Sequence, residues 1–186
     1  MRIAVFCGSS LGSNGLFKQS AETLGTYLAS KEIRLVYGGG KVGLMGAVAD
    51  AALGAGGEVI GVIPQALQDK EIAHPNLTHL HVVTDMHIRK AKMAELADAF
   101  VAMPGGAGTL EEFFEVWTWA QLGYHTKPCA LYNAGGYFDK LLGFIDHMVE
   151  NALLKPQYRE MIQVEAQPRI LVDALSNYQP PKQKWT

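Results

Sequence analysis

The sequence predicts an α/β protein: one Rossmann-like domain, with a parallel sheet of about seven strands and helices on both faces. Three observations carry that expectation. Short apolar runs alternate with helical patterns along the chain. The runs are apolar almost throughout, as strands are when both faces of a sheet are covered. The 186 residues include 20 glycines, about 11% against a usual ~7%, and several clusters fall where an apolar run ends.

The elements follow in order. Ile3–Cys7 reads as the first strand, ended by Gly8-Ser9-Ser10, and Leu16–Ser30 has helical spacing. Arg34–Tyr37 is a second strand, ended by Gly38-Gly39-Gly40; Leu44–Ala55 is an Ala- and Gly-rich helix. Val59–Ile63 and His79–Val83 are the third and fourth strands, joined by Gln65–Thr78, the least regular connection. Connections of that length without a function are uncommon. A helix from Met86 to about Ala97 leads to a fifth strand, Ala99–Met103, then Pro104-Gly105-Gly106 and a long helix, Leu110–Leu122. Pro128–Tyr132, the helix Tyr137–Asn151, the strand Ile162–Val164 and the helix Arg169–Tyr178 complete residues 1–178 as one catalytic domain. Residues 179–186 form a polar, Pro-rich tail expected to fray.

Composition narrows the function. Net charge is -2 and charged residues are 18%, so no basic stripe calls for nucleic acid or a membrane surface. No apolar run approaches the ~18 residues of a membrane helix. The start of the chain lacks the pattern of a signal peptide. Cys7 and Cys129 stand alone without a CxxC, which suits buried thiols in a reducing compartment. The expectation is a soluble cytoplasmic protein.

Two motifs mislead. Gly38-Gly39-Gly40-Lys41-Val42-Gly43 fits GxGxxG, but a dinucleotide site needs an acidic residue at the end of the next strand. That strand ends Val62-Ile63-Pro64, and Glu58 stands at its other end. Gly8-Ser9-Ser10-Leu11-Gly12 fits the GxSxG elbow, yet Asp139 and His147, its possible partners, share one distant helix. The six histidines form no set with metal-ligand spacing, and no lysine sits in a Schiff-base context.

In an open parallel sheet, ligands bind outside the carboxyl ends of the strands. Three Gly-rich turns fall on that edge, at Gly8, Gly38 and Gly105. Pro104-Gly105-Gly106-Ala107-Gly108-Thr109-Leu110-Glu111-Glu112 is the strongest of them: glycine amides and a threonine hydroxyl at a helix start suit a phosphate. On the following helix Leu110, Phe113, Phe114 and Trp117 read as the apolar stripe. Glu111 then borders the pocket, with Glu112 round the far side. Asp85 is a natural N-cap, and on the helix it opens Arg89 falls among apolar positions, where it needs a partner such as Glu111 or a ligand phosphate. Lys90 lies on the other face. Trp117 and Trp119 cannot both face one core, so one is expected to meet a partner subunit or line a pocket.

Phe6-Cys7-Gly8-Ser9-Ser10, Gly38–Gly46, Asp85–Lys90 and Pro104–Glu112 resemble the motifs of the Lonely Guy family. These are cytokinin riboside 5'-monophosphate phosphoribohydrolases with a PGGxGTxEE hallmark, often formerly labelled lysine decarboxylases. The resemblance runs from Arg2 to about Tyr178. It implies a Rossmann-like homodimer with sites near the subunit interface and no cofactor; nothing in the residues calls for a metal. It implies Arg89 and Glu111 as the catalytic pair, and Gly105, Gly106, Ala107, Gly108 and Thr109 around the phosphate of a nucleoside monophosphate. Leu110 and Glu111 continue that contact, Lys90 assists, and Glu71 in the irregular connection reaches the substrate. The implied reaction cleaves the N-glycosidic bond of N6-substituted adenosine 5'-monophosphates. A broader purine nucleotide glycosidase and a non-catalytic nucleotide or cofactor carrier are the alternatives on the same fold.

Overall fold

The strand β1 (Arg2–Phe6) lies at the middle of the sheet in the computed structural model, which describes residues 1–70 and 72–181. On one side of it come β2 (Arg34–Tyr37), β3 (Val59–Pro64) and β4 (His79–Val83). On the other come β5 (Ala99–Ala102), β6 (Cys129–Tyr132) and β7 (Ile162–Glu165), giving the order β4-β3-β2-β1-β5-β6-β7. Every neighbouring pair is parallel. The chain therefore reverses its direction of travel across the sheet between β4 and β5. The crevice this opens lies above β1 and β5, where ligands bind in such folds.

The helices divide between two faces. α1 (Gly15–Ser30), α2 (Gly43–Gly54) and α8 (Pro168–Ser176) bury Leu24, Leu28, Val48, Leu171 and Leu175 against Ile3, Val5, Leu35 and Val101. α4 (Met86–Leu96), α5 (Ala107–Gln121), α6 (Asp139–Glu150) and the short α7 (Pro156–Arg159) bury Met93, Phe113, Val116, Trp117, Ile145 and Tyr158 against Phe6, Val36, Phe100 and Leu131. Adjacent strand residues point to opposite faces, so β1 sends Ile3 and Val5 one way and Ala4 and Phe6 the other.

The expected seven strands and main helices are present, with no end shifted by more than three residues. The largest shift is at α5, which begins at Ala107 and not at Leu110. Glycine is unfavourable inside a helix, but in the first turn the amides have no intrahelical partner to lose. The irregular connection contains a further short helix, α3 (Gln65–Gln68). After it, Gly40 and Ala73 form an antiparallel bridge. Of the two sequence features outside the described residues, Glu71 is one; the other is the end of the expected tail, residues 182–186.

Candidate active site

Three loops meet at the crevice. The Gly8 amide donates to the Pro104 carbonyl at 3.1 Å, tying the end of β1 to the end of β5. The Gly8 carbonyl accepts from Leu44 at 3.0 Å and more weakly from Met45 at 3.4 Å, closing the N-terminus of α2. α5 differs: Gly106 at its start provides no side-chain cap. Its first amides remain available to an anion, and the helix dipole favours one there. Beside this opening lies a cavity of about 300 Å3 lined by Ser9, Ser10, Leu11, Phe17, Leu44, Gly105 and Tyr137. Tyr137 donates its hydroxyl to the Gly105 carbonyl at 2.6 Å and packs edge-on against Phe17.

Gly105 is required by space. A Cβ on it would collide with Thr109 Oγ1 and lie 2.8 Å from the Gly8 amide nitrogen. Gly105→Ala is therefore expected to force apart the two loops that frame the crevice. Nucleotide affinity should fall by about tenfold or more, corresponding to over 1.4 kcal/mol. Titration calorimetry with adenosine 5'-monophosphate checks this; unchanged affinity would remove the loop from the site.

The charged residues form two sets between α4 and α5. Asp85 caps α4 as expected, accepting from the Ile88 amide at 2.9 Å, and that bond holds its carboxyl below the usual carboxylate range. Arg89 is buried on the packed face of α4. Its Nε donates to the Val62 carbonyl at 3.0 Å and its Nη1 to Glu112 Oε1 at 2.6 Å. Both side chains of this pair are about nine-tenths hidden, at 9% and 11% exposure. Burial raises Glu112 above the usual glutamate range, and the opposing pull of Arg89 does not cancel it. A buried carboxylate with a raised proton affinity beside a crevice has the character of a general base.

The pairing differs from the sequence expectation. Arg89 meets Glu112, while Glu111 meets Lys90 at 2.5 Å, and Lys90 also donates to Glu115 at 3.0 Å. Helix phase is the reason. The inward side of α5 carries Thr109, Glu112, Phe113, Val116, Trp117 and Ala120, and Leu110 and Phe114 are only half-buried. One residue turns a helix by about 100°, so Glu111 points outward, with a side chain 57% exposed. Burial works to lower Lys90, but its two glutamates outweigh it and hold the ammonium above the usual lysine value.

The remaining candidates sort plainly. Thr109 is buried beneath the loop, Gly106, Ala107 and Gly108 are exposed at its mouth, and Leu110 is half-buried behind it. Cys7 lies near the Arg89–Glu112 pair, but burial, reinforced by Glu112, pushes its thiol far up and keeps it neutral. Glu58 pairs with Arg34 at 2.7 Å, away from the carboxyl edge. Asp139 accepts from Asn133 and His147 faces Glu150, so neither serves the GxSxG turn. Trp117 is buried with its Nε1 on the Tyr158 carbonyl, and Trp119 is half-buried against the same core. Among the described residues, no group of three or more His, Cys, Asp or Glu side chains could hold a metal ion. None of the described helices is long and apolar enough to cross a membrane.

A doubly wound sheet, an open helix N-terminus at its switch point and a buried Arg–Glu pair beside it define a Rossmann-like protein with a nucleotide-type site. Residues 45–175 match the family model described as "Possible lysine decarboxylase". The chain is 49% identical to the cytokinin riboside 5'-monophosphate phosphoribohydrolase LOG1 of Arabidopsis thaliana, over 98% of this chain and 86% of that protein. It is 52% identical to the cytokinin riboside 5'-monophosphate phosphoribohydrolase of Rhodococcoides fascians, over 86% and 81%. The chain belongs to the Lonely Guy family of cytokinin riboside 5'-monophosphate phosphoribohydrolases. Among solved structures, the molybdenum cofactor binding protein of Rippkaea orientalis superposes with a TM-score of 0.71 over 94% of each chain, at 19% identity. A Moco carrier protein from Chlamydomonas reinhardtii gives 0.71 over 94% of each, at 20% identity. Those two likenesses concern the fold alone.

Proposed function

We propose that this protein hydrolyses the N-glycosidic bond of N6-substituted adenosine 5'-monophosphates, releasing the free base and ribose 5-phosphate. The observation that carries the reading is the buried ion pair between Arg89 of α4 and Glu112, which lies on the same helix as the phosphate cradle. Glu112 lies five residues beyond Ala107, about 8 Å along the helix axis. Helical side chains lean toward the N-terminus, so its carboxylate leans toward the cradle. The 5'-phosphate on the amides of residues 105–109 then places the ribose beside Glu112. As the bond between the base nitrogen and C1' breaks, the bonding pair leaves with the base and positive charge develops on the sugar. The carboxylate of Glu112 stabilises that charge and takes a proton from the attacking water, whose oxygen bonds to C1'. The departing base takes up its proton from solvent. Arg89 keeps Glu112 oriented and favours its ionised form. Lys90 borders the same opening as a cation for the phosphate, and Glu111 holds it there.

Two other readings are weaker. A cofactor carrier needs a cleft but has no use for a buried ion pair beside it. A lysine decarboxylase working through a Schiff base needs a lysine of lowered basicity, whereas Lys90 is held as a cation. Burial does lower Lys127, but that residue lies near Asp98 and Arg2 at the amino edge of the sheet. The test is chromatography of a panel of purine nucleotides and nucleosides after incubation with pure protein. Monophosphates should give base and ribose 5-phosphate, with the matching nucleosides at least ~100-fold slower because the phosphate supplies remote binding energy. Equal turnover of nucleoside and monophosphate rejects the cradle; bound but uncleaved monophosphates favour the carrier.

The same reading includes a homodimer in the cytoplasm. Val82, Met86 and Ile88 expose apolar surface on β4 and α4, next to Arg89 and Lys90, and such surface next to a site suits a partner subunit. Light scattering of dilute protein is expected to give twice the 20.2 kDa chain mass; a monomeric mass rejects the dimer.

A further inference from the structure

His74 is 5% exposed and lies outside the crevice, yet its amide and both ring nitrogens have partners. Its backbone amide donates to the Gly39 carbonyl at 2.8 Å, and two residues earlier the Ile72 carbonyl accepts from the Lys41 amide at 2.9 Å. These two bonds make the antiparallel bridge between Gly40 and Ala73. The ring fixes the bridge in place. Nδ1 accepts from the Asn76 amide at 3.2 Å, so it carries no proton, and Nε2–H is left to donate to Asp50 Oδ1 at 3.0 Å on α2.

The turn held in this way is the wall behind Arg89. Gly38 stands so close to the guanidinium that a Cβ there would collide with Nη2. On its other sides the guanidinium has only Val62 and Glu112 as polar partners among the described residues. A contiguous path thus runs from Asp50 through His74 to the Gly38–Lys41 turn, and from Gly38 to Arg89 and Glu112. Backbone packing transmits displacement because interiors are close-packed.

We propose that His74 is a positioning residue for catalysis, pinning the Ile72–His74 stretch to the Gly38–Lys41 turn and so fixing the Arg89 guanidinium against Glu112. The proposal rests on the reading of Arg89 and Glu112 as the reacting pair. It is distinct from a purely structural role, which would affect stability and leave the guanidinium where it is.

The experiment compares wild type, His74→Ala, His74→Asn and Asp50→Ala by steady-state cleavage of a nucleoside monophosphate and by the NMR signal of Arg89 Nε–H. His74→Ala should lower kcat by about tenfold, the scale of a modest misplacement of a reacting group, with KM within about twofold. It should also move the Arg89 Nε–H signal. His74→Asn puts an acceptor where Nδ1 stands, keeps the bond from Asn76, and should recover most of both. Asp50→Ala should fall between wild type and His74→Ala. If His74→Ala does not fold, Asp50→Ala carries the test. Wild-type kcat in the folded Ala variants, or an Arg89 signal that does not move in them, overturns the proposal. Should the wild type cleave nothing, a shifted Arg89 signal still supports the contact path and the failure belongs to the glycosidase reading.

Discussion

Glu112→Gln is expected to lower the single-turnover rate of monophosphate cleavage by about 100-fold or more, the scale for losing a positioned base or electrostatic group. Glutamine keeps the shape of the side chain and can still accept from Arg89, but it carries no charge for the sugar cation and cannot take a proton from water. Calorimetric affinity for the monophosphate should stay within a few-fold, because the cradle at Gly105–Thr109 is untouched. Glu111→Gln is the matched control: its side chain faces Lys90 and solvent, and its expected loss is under about tenfold. A larger loss from Glu111→Gln than from Glu112→Gln would return the chemistry to Glu111 and leave the buried pair a structural one. The pH dependence has a definite sign. Glu112 works ionised, and burial raises it, so the cleavage rate should fall as pH drops through a value above the ordinary glutamate range of about 4.3. An acid limb at or below that range would contradict the assignment.

Arg89→Ala is expected to be costly in two ways. It leaves Glu112 buried beside an apolar wall without its cation, and truncating one member of a buried pair typically costs about 3–5 kcal/mol. For a chain of this size the corresponding fall in Tm is on the order of 10 °C. Turnover of the folded enzyme should also fall by about 100-fold, with the acid limb moved to higher pH because the charge that favoured ionised Glu112 is gone. Arg89→Lys keeps the charge but not the planar fork that reaches Val62 and Glu112 together, so it should recover only part of the rate. The Arg89→Ala, Glu112→Gln double variant should lose less than the sum of the two, as residues acting as one unit do. Strict additivity would show that they act separately.

The sequence reading and the structure part company on the identity of that pair, at one helical step. Asp85 as a cap, Arg89 among apolar positions and the glycine cradle are local features. Each depends on residues within a few positions of one another, and the structure has all three. Which carboxylate faces Arg89 depends on the rotation of α5 about its own axis. The apolar pattern allowed two stripes, one through Leu110 and Phe114 and one through Val116 and Ala120. Packing against Phe6, Phe100 and Met93 selects the second, and with it Glu112. The signal was present in the sequence: Thr109, Phe113, Val116, Trp117 and Ala120 share the period, and Glu112 falls on it.

By itself, the sequence determined the parallel α/β class, the strand runs, the three glycine turns on one edge, the glycine-rich start of α5 and the family motifs. These follow from periodicity, turn chemistry and backbone geometry, which act over a few residues. Only the tertiary structure decided the strand order, which opens the crevice above β1 and β5, and the close approach of Gly38 to Arg89. It also decided the pinning of Ile72–His74 to the second glycine turn and the sorting of Glu111, Glu112 and Glu115 between Lys90 and Arg89. Each of these joins residues distant in the chain. Their placement is set by which side chains fill the space between sheet and helices, a property of the assembled core and not of any one segment.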